Sequence, residues 1–243
     1  MADSPVPDVS VVVPVHNEAG AAGPLAREIA QAFAGRSYEM IFVNDASRDT
    51  TLAELQALKT ELPALRVLSH GANAGQSRAV RTGVLAARAP IVVTLDGDGQ
   101  NPPADAPRLV DLLAASPESV ALVGGVRAKR QDSEAKRWAS RWANRIRKRL
   151  LGDDADDTGC GLKAFRREVF LRLPYFDHIH RYLPALMIRE GYENRYLDVD
   201  HRHRETGQSK YTNWGRLMAS VSDLMGVMWL KSRSRRPGVV SEV

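Results

Sequence analysis

The 243-residue chain has one cysteine, Cys160. A single thiol excludes an internal disulfide and suits a reducing compartment. No run of about 18 apolar residues occurs, the length a helix needs to span a bilayer. The opening residues, MADSPVPDVS, lack the basic-then-apolar pattern of a secretory leader, so no signal peptide is expected. No internal repeat or low-complexity segment is present. No G-x-G-x-x-G follows the first apolar run, and no G-x-x-x-x-G-K-[ST] occurs anywhere. Both absences argue against a dinucleotide-binding domain and a P-loop nucleotidase.

What is present fits one sizeable α/β domain with a tail. Lys and Arg outnumber Asp and Glu 34 to 29, a formal net charge of +5. That balance points to an anionic partner: nucleic acid, a membrane surface or a phosphorylated substrate.

The chain is organised around 90–103. Pro90-Ile91-Val92-Val93-Thr94-Leu95 is a short β-branched run, which predicts a buried strand. It stops at Asp96-Gly97-Asp98-Gly99, and Pro102-Pro103 closes the segment. Two carboxylates are thus delivered to the carboxyl end of a strand, where open α/β sheets bind ligands. Hard oxygen donors there suit Mg²⁺ or Mn²⁺. On spacing alone the stretch reads equally as an acidic turn.

Around it, apolar runs predict strands at 9–13, 39–43 and 65–68. Helical spacing predicts helices over 24–33, 50–62 and 76–87. Four alternations of strand and helix argue a parallel, doubly wound sheet. Three successive strands end in polar clusters holding Glu18, Asp45 and Asp96/Asp98, and a parallel sheet brings all three to one edge. Beyond these, a helix is expected over 107–113 and a strand over 119–125. Helices are then expected over 168–173 and 182–190, and a strand over 192–199.

From Arg127 to Arg149 the chain is strongly basic, and Trp138, Trp142, Ile146 and Leu150 recur every four residues. This spacing predicts a basic amphipathic helix, either interfacial or packed on the core with a solvated basic back. His201 and His203 could ligate a metal, but no third ligand is spaced with them, and an exposed basic strand fits better. Arginines and Lys210 around Gly207 suit a diphosphate clamp. A second amphipathic helix carries Trp214, Leu217, Met218, Val221, Leu224, Met225, Met228 and Trp229, followed by Lys231, Arg233, Arg235 and Arg236. An anionic bilayer surface and the domain's own core are equal candidates for its apolar face.

The motifs VVVPVHNE (11–18), IFVNDASRDT (41–50), NAGQSRAVRTG (73–83), TLDGDGQNPP (94–103), VRAKRQDS (126–133), DTGCGLKAF (157–165) and RETGQSKY (204–211) follow one another in order. This series resembles family 2 glycosyltransferases of the GT-A fold, in the branch that moves a sugar from a nucleotide onto a polyprenyl phosphate. That branch includes the dolichol-phosphate mannose synthases and the undecaprenyl-phosphate formamido-arabinose transferases. The resemblance runs over roughly residues 9 to 236. It implies a Rossmann-like, mostly parallel sheet flanked by helices, divided as a GT-A domain (1–212), a C-terminal amphipathic membrane-surface helix (213–236) and a disordered tail (237–243).

Carried over by motif, Pro14, Asn17 and Glu18 would line the nucleotide pocket and Asp45 would hydrogen-bond the base. Asp96 would sit at the ribose and diphosphate. Asp98 and Gln100 would hold the metal, Mg²⁺ or Mn²⁺. Arg127 and Arg202 or Arg204 would face phosphates, and Ser209 and Lys210 would close over the donor. Arg141 would bind the acceptor phosphate, and Asp157 would lie beside the reaction centre. Relatives usually carry two acids where this chain has Asn44-Asp45, a departure that bears on base recognition. They often have D-A-D in place of Asp96-Gly97-Asp98, which reads as a small change.

The expected activity is an inverting transfer from a UDP- or GDP-sugar to a polyprenyl phosphate. The expected location is cytoplasmic and peripheral, at the inner face of the membrane. Base, sugar and any membrane-embedded partner protein are left open. The alternatives are a saccharide acceptor or a catalytically silent membrane- or nucleotide-binding module; a nucleic-acid partner is not expected.

Overall fold

The computed structural model describes residues 5–127, 147–155, 157–202 and 213–235, with 213–220 as helical backbone only. One seven-stranded sheet organises them, in the order β3-β2-β1-β4-β6-β5-β7. Its strands are β1 (Val9–Val15), β2 (Tyr38–Asn44), β3 (Leu65–Ser69), β4 (Ile91–Thr94), β5 (Val120–Arg127), β6 (Lys163–Arg166) and β7 (Glu193–Val199). β1, β2, β3 and β4 pair in parallel, and β7 runs parallel to β5. Only β6 opposes its neighbours, lying antiparallel to both β4 and β5. The mostly parallel sheet is as expected. The reversed β6 is new, and it matters for the site: Lys163 pairs with Thr94, so β6 starts where β4 ends.

The helices are α1 (Ala22–Ala32), α2 (Thr51–Ala57), α3 (Gln76–Ala86), α4 (Ala106–Ala114), α5 (Arg167–Arg172), α6 (Leu183–Glu190) and α7 (Asn213–Ser232). They cover both faces of the sheet. Val9, Val11, Val13 and Val15 point to one face and pack with Leu25 and Ile29 of α1, Leu55 of α2, and Leu109 and Leu113 of α4. Val12, Ile41 and Val43 point to the other face, with Val80 and Val84 of α3, Phe170 of α5 and Leu186 of α6. The alternation follows from the period-2 geometry of a strand. All seven β1 residues are buried, which is why it reads as a continuous apolar run.

Helix α3 lies so close to the sheet that a Cβ at Gly83 would come within 2.4 Å of Val12 Cγ1. Helix α2 is shorter than its apolar spacing predicts. After Ala57 the chain continues in turns, Lys59 N–H donating to Gln56 O at 3.3 Å and Glu61 N–H to Leu58 O at 3.1 Å. Leu58 still reaches the core.

Candidate active site

The carboxyl ends of β1, β2, β4 and β5 and the amino end of β6 share one edge. Asp96 lies just past β4. Gln76 Nε2, at the start of α3, donates to its Oδ1 at 2.8 Å, and Asn101 Nδ2 donates to Oδ2 at 3.4 Å. Burial, then the neighbouring Asp98 carboxylate, pushes the Asp96 pKa up, against the opposing pull of Lys163. Gly161 makes the close approach possible: a Cβ there would sit 2.1 Å from Asp96 Oδ2. Thr94 Oγ1 fixes that segment by donating to Gly161 O at 2.9 Å. Gly97 is equally constrained, since a Cβ would lie 2.7 Å from Pro14 O and from Val15 Cγ1. The glycine between the two acids is therefore no small departure. In this chain β1 packs where an alanine methyl would be.

Asp98 is half-buried, and among the described residues its carboxylate accepts one hydrogen bond, from Gln100 N–H to Oδ1 at 3.2 Å. Its second oxygen and the Gln100 side chain are thus available as donors to a cation. Among the described residues no three His, Cys, Asp or Glu side chains cluster to hold a metal. The Asp98 carboxylate and the Gln100 side-chain oxygen fit Mg²⁺ or Mn²⁺, which takes one or two protein oxygens and completes its shell with water and phosphate.

Asp157 and Arg127 form a buried bidentate pair, Nε to Oδ2 at 2.6 Å and Nη2 to Oδ1 at 2.7 Å. The side chains are 6% and 18% exposed. The hydrogen bonds that Arg127 donates to Asp157 hold the Arg127 pKa above its ordinary value. Lys163, 4% exposed, donates to Thr158 O at 3.3 Å and also to Cys160 O. Burial lowers its pKa. It fastens the 158–161 segment beside Asp96. Burial likewise raises the pKa of the Cys160 thiol.

Asp45 is buried, and both of its oxygens accept from protein donors. His70 Nδ1 lies 2.7 Å from Oδ1, which also takes Ala74 N–H at 2.9 Å, and Oδ2 takes Gly75 N–H at 2.8 Å. This carboxylate anchors the loop that leads into α3. His16 Nδ1 lies 2.7 Å from Asp45 O, and Asn73 Nδ2 donates to the same carbonyl at 3.1 Å. Asn17 is left-handed, with φ 52°. Its N–H donates to Ser47 Oγ and its Oδ1 accepts from Arg48 N–H. Glu18 N–H donates to Thr51 Oγ1 at 2.9 Å. These bonds lace the β1–α1 and β2–α2 loops into one wall. Pro14 is buried at its base.

Arg202 is at the same edge through its backbone, N–H to Gln100 O at 2.9 Å, but its guanidinium pairs with exposed Glu28 of α1 at 2.8 Å. Arg141, Arg204, Ser209 and Lys210 lie outside the described residues, as do Trp138, Trp142 and His203.

Several residues at the site were not singled out from the sequence, Arg181, His70 and Asn101 among them. Gln76 and Lys163 stand inside quoted motifs without a role. His180 carries no sequence signal at all. It reaches the site because Ser77 Oγ lies 2.7 Å from its Nδ1. Burial, reinforced by Lys163, Arg181 and His178, drops its pKa well below 6.5, so the ring is neutral at pH 7. A cavity of about 340 Å³ lies beside Asp96, walled by Gln76, Arg147, Lys163, His180 and Arg181.

An open α/β sheet with an Asp-x-Asp turn after its fourth strand, and an antiparallel strand returning to that turn, defines a GT-A domain. The glycosyl transferase family 2 model matches residues 10–173, and the chain belongs to that family. It is 36% identical over 227 residues to an undecaprenyl-phosphate 4-deoxy-4-formamido-L-arabinose transferase of Pseudomonas aeruginosa, covering 92% of this chain and 66% of that one. It is 33% identical over 237 residues to the dodecaprenyl-phosphate galacturonate synthase of Rhizobium johnstonii, 95% of this chain and 69% of that one. The chain thus spans about two thirds of the length of these relatives. In fold it is similar to a mannosyltransferase from Pyrobaculum calidifontis solved with GDP-Man and Mn²⁺. The TM-score is 0.68 at 20% identity, over 95% of this chain and 65% of that one.

Proposed function

We propose that this chain transfers a glycosyl group from a nucleotide sugar to a polyprenyl phosphate, with inversion at the anomeric carbon. The observation that carries the reading is the convergence of Asp96, Asp98 and the Arg127–Asp157 pair at one sheet edge, in a chain whose relatives act on polyprenyl phosphates.

An acceptor phosphate oxygen forms the new bond to the anomeric carbon. The bond from that carbon to the nucleoside diphosphate breaks, and its electron pair leaves with the diphosphate. A phosphate monoester has a second pKa of about 6, so the nucleophile is largely dianionic at neutral pH and needs orientation more than deprotonation. Asp157 fits an orienting role, because a carboxylate with both oxygens held along one edge of a guanidinium is a poor base. Asp98 and Gln100 would hold Mg²⁺ or Mn²⁺, which supplies charge neutralisation at the leaving diphosphate. The wall formed by Pro14, Asn17, Glu18 and the Asp45-anchored loop would receive the base and ribose. Asp45 acts there by fixing backbone, and Asp96 faces the ribose and diphosphate. By motif, Arg202 or Arg204 would face phosphates, Ser209 and Lys210 would close over the donor, and Arg141 would bind the acceptor phosphate.

The exposed face of α7 and the basic residues after it support a place at the cytoplasmic face of a membrane. Among the described residues no helix is long and apolar enough to cross one.

The test is a donor screen: the protein with Mg²⁺ or Mn²⁺, undecaprenyl phosphate in detergent and a panel of UDP- and GDP-sugars, read by mass spectrometry of the lipid. One donor should yield a metal-dependent glycolipid, and Asp98→Ala should abolish it. Donor hydrolysis without a lipid product would reject the acceptor. Unchanged turnover in Asp98→Ala would reject the metal assignment.

A further inference from the structure

Helix α7 touches two stretches of chain that run to the active site. Asp223, Val227 and Lys231 recur every four residues and so share the face that α7 turns to the domain. Lys231 Nζ donates to Leu151 O, in the segment that runs on to Asp157. Val227 is buried in one apolar cluster with Leu151, Ile179 and Tyr182. Asp223 Oδ2 lies 2.8 Å from His178 Nδ1. His178 precedes the 3₁₀ turn Ile179–Arg181 and is left-handed, with φ 63°. Glycine adopts that backbone freely, and a residue with a side chain does so at a cost. The same stretch reaches the first turn of α3. His180 Nδ1 meets Ser77 Oγ at 2.7 Å, and the Arg78 guanidinium lies 3.9 Å from the centre of the Tyr175 ring. Gln76, one residue before Ser77, is the residue that donates to Asp96. Residues 175–182 thus join α7 to the start of α3, and the start of α3 holds Asp96.

We propose that Asp223 and His178 are positioning residues: through them α7 keeps the first turn of α3, and Gln76 with it, against Asp96, and a bilayer on the outer face of α7 tightens nucleotide binding at the sheet edge. The inference rests on the transferase and membrane reading above and adds how the two are linked. The pair is poorly suited to a purely stabilising role. Its side chains are 32% and 21% exposed, and an ion pair open to water contributes little. What it fixes is the place of the 3₁₀ turn. A surface shifts an equilibrium only by preferring one of its states. Docked, α7 turns Asp223 to His178 and presents Val221, Met225, Met228 and Trp229 outward. Undocked, it would bring the same carboxylate toward an anionic surface. A bilayer therefore favours the docked form, in which the start of α3 is held. The linkage is mutual, so a nucleotide bound at the edge should raise the affinity for the bilayer by the same factor.

The test is amide hydrogen exchange and calorimetry on the full chain, with and without phosphatidylglycerol vesicles that carry no polyprenyl phosphate. Vesicles should slow exchange over 75–82 and 177–182 by about fivefold, the low end of allosteric couplings. They should lower the Kd of UDP or GDP, with Mn²⁺ present, by the same factor. His178→Gly keeps the left-handed backbone and deletes the contact; Asp223→Ala deletes it from the other side. Both should keep the wild-type Tm and still sediment with vesicles, yet lose the vesicle effect on exchange and on Kd. Asp223→Asn leaves an acceptor for the histidine and should restore most of that effect, which a merely structural role would not require. A vesicle effect that persists in both His178→Gly and Asp223→Ala overturns the proposal. So does wild-type protein in which vesicles change neither readout. Exchange needs no nucleotide, which separates this inference from the transferase reading. Coupled exchange in a protein that transfers no sugar keeps the link and rejects the transferase. Transfer to undecaprenyl phosphate by a protein without any vesicle effect does the reverse.

Discussion

Asp96 shows how the site is held at odds with stability. Burial and the Asp98 charge raise its pKa, so the folded chain binds the proton more tightly than the unfolded chain. The resulting penalty is absent below the unfolded carboxyl value of 3.8 and fully present once pH has risen past the folded value. Asp96→Asn should therefore raise Tm at pH 7, by roughly 2–4 °C for each kcal/mol removed, while eliminating turnover. The Tm advantage should shrink as pH is lowered toward 4, and thermal melts across that range check it. A gain that does not change with pH would mean that the carboxylate's charge is not the source.

At the scale of elements, the sequence left the partner of α7's apolar face even between the domain's core and a bilayer surface. One side docks on the domain: Val227 is buried, Asp223 Oδ2 lies 2.8 Å from His178 Nδ1, and Lys231 Nζ donates to Leu151 O. The other side exposes Val221, Met225, Met228 and Trp229, the last two at 37% and 59%. The side chains of Trp214, Leu217 and Met218 lie outside the described residues. A helix with an apolar face left over, next to Lys231, Arg233 and Arg235, has the composition that binds anionic bilayers. Met225→Ser with Trp229→Ser should weaken cosedimentation with phosphatidylglycerol vesicles by about tenfold or more, at roughly 25 cal/mol per Å² of apolar surface lost, and leave Tm unchanged. A fall in Tm of the same rank as Val227→Asp would show that this face is packed inside the protein instead.

For the whole molecule, the sheet is closed at the end opposite the site by a buried carboxylate. Glu39, 2% exposed, accepts from Ser10 Oγ at 2.7 Å, Arg88 N–H at 2.7 Å and Arg66 Nη1 at 2.5 Å. It joins β1, β2, β3 and the segment after α3. Burial alone would raise its pKa, but these donors together with the Arg66 charge bring it below the ordinary value. A carboxylate with a depressed pKa stabilises the fold above the unfolded value of 4.5 and loses that contribution as pH falls through the folded value. Glu39→Gln should cost about 1.5 kcal/mol at pH 7, the scale of a hydrogen bond to a charged group, because Arg66 and Arg88 lose a charged partner but are a third to a half exposed to water. The deficit should narrow in acid, as urea titrations at pH 7 and pH 4 would show. Because Glu39 lies far from the donor edge, nucleotide-sugar Kd should be unaffected.

The strands β1, β2, β4 and β5 were legible in the sequence because each is buried on both faces and so reads as an unbroken apolar run. The edge where their polar ends meet followed from parallel alternation alone, and it put Asp96 and Asp98 in the site before any coordinates. Motif order then supplied the family. What local sequence did not contain was pairing partners. β6 reverses between β4 and β5 through register pairs 39 to 75 residues apart in sequence, such as Thr94 with Lys163. Only that reversal brings Lys163, Gly161 and the Arg127–Asp157 pair against Asp96. The same limit hid His180, whose place depends on Ser77, 103 residues away. It also hid the constraint on Gly97, which is set by the backbone of β1. The sequence determined which side chains could do chemistry and which strand ends would carry them. The tertiary structure decided which of those groups are spent on each other and which are left to meet a ligand, because hydrogen-bond saturation and burial are properties of neighbours in space.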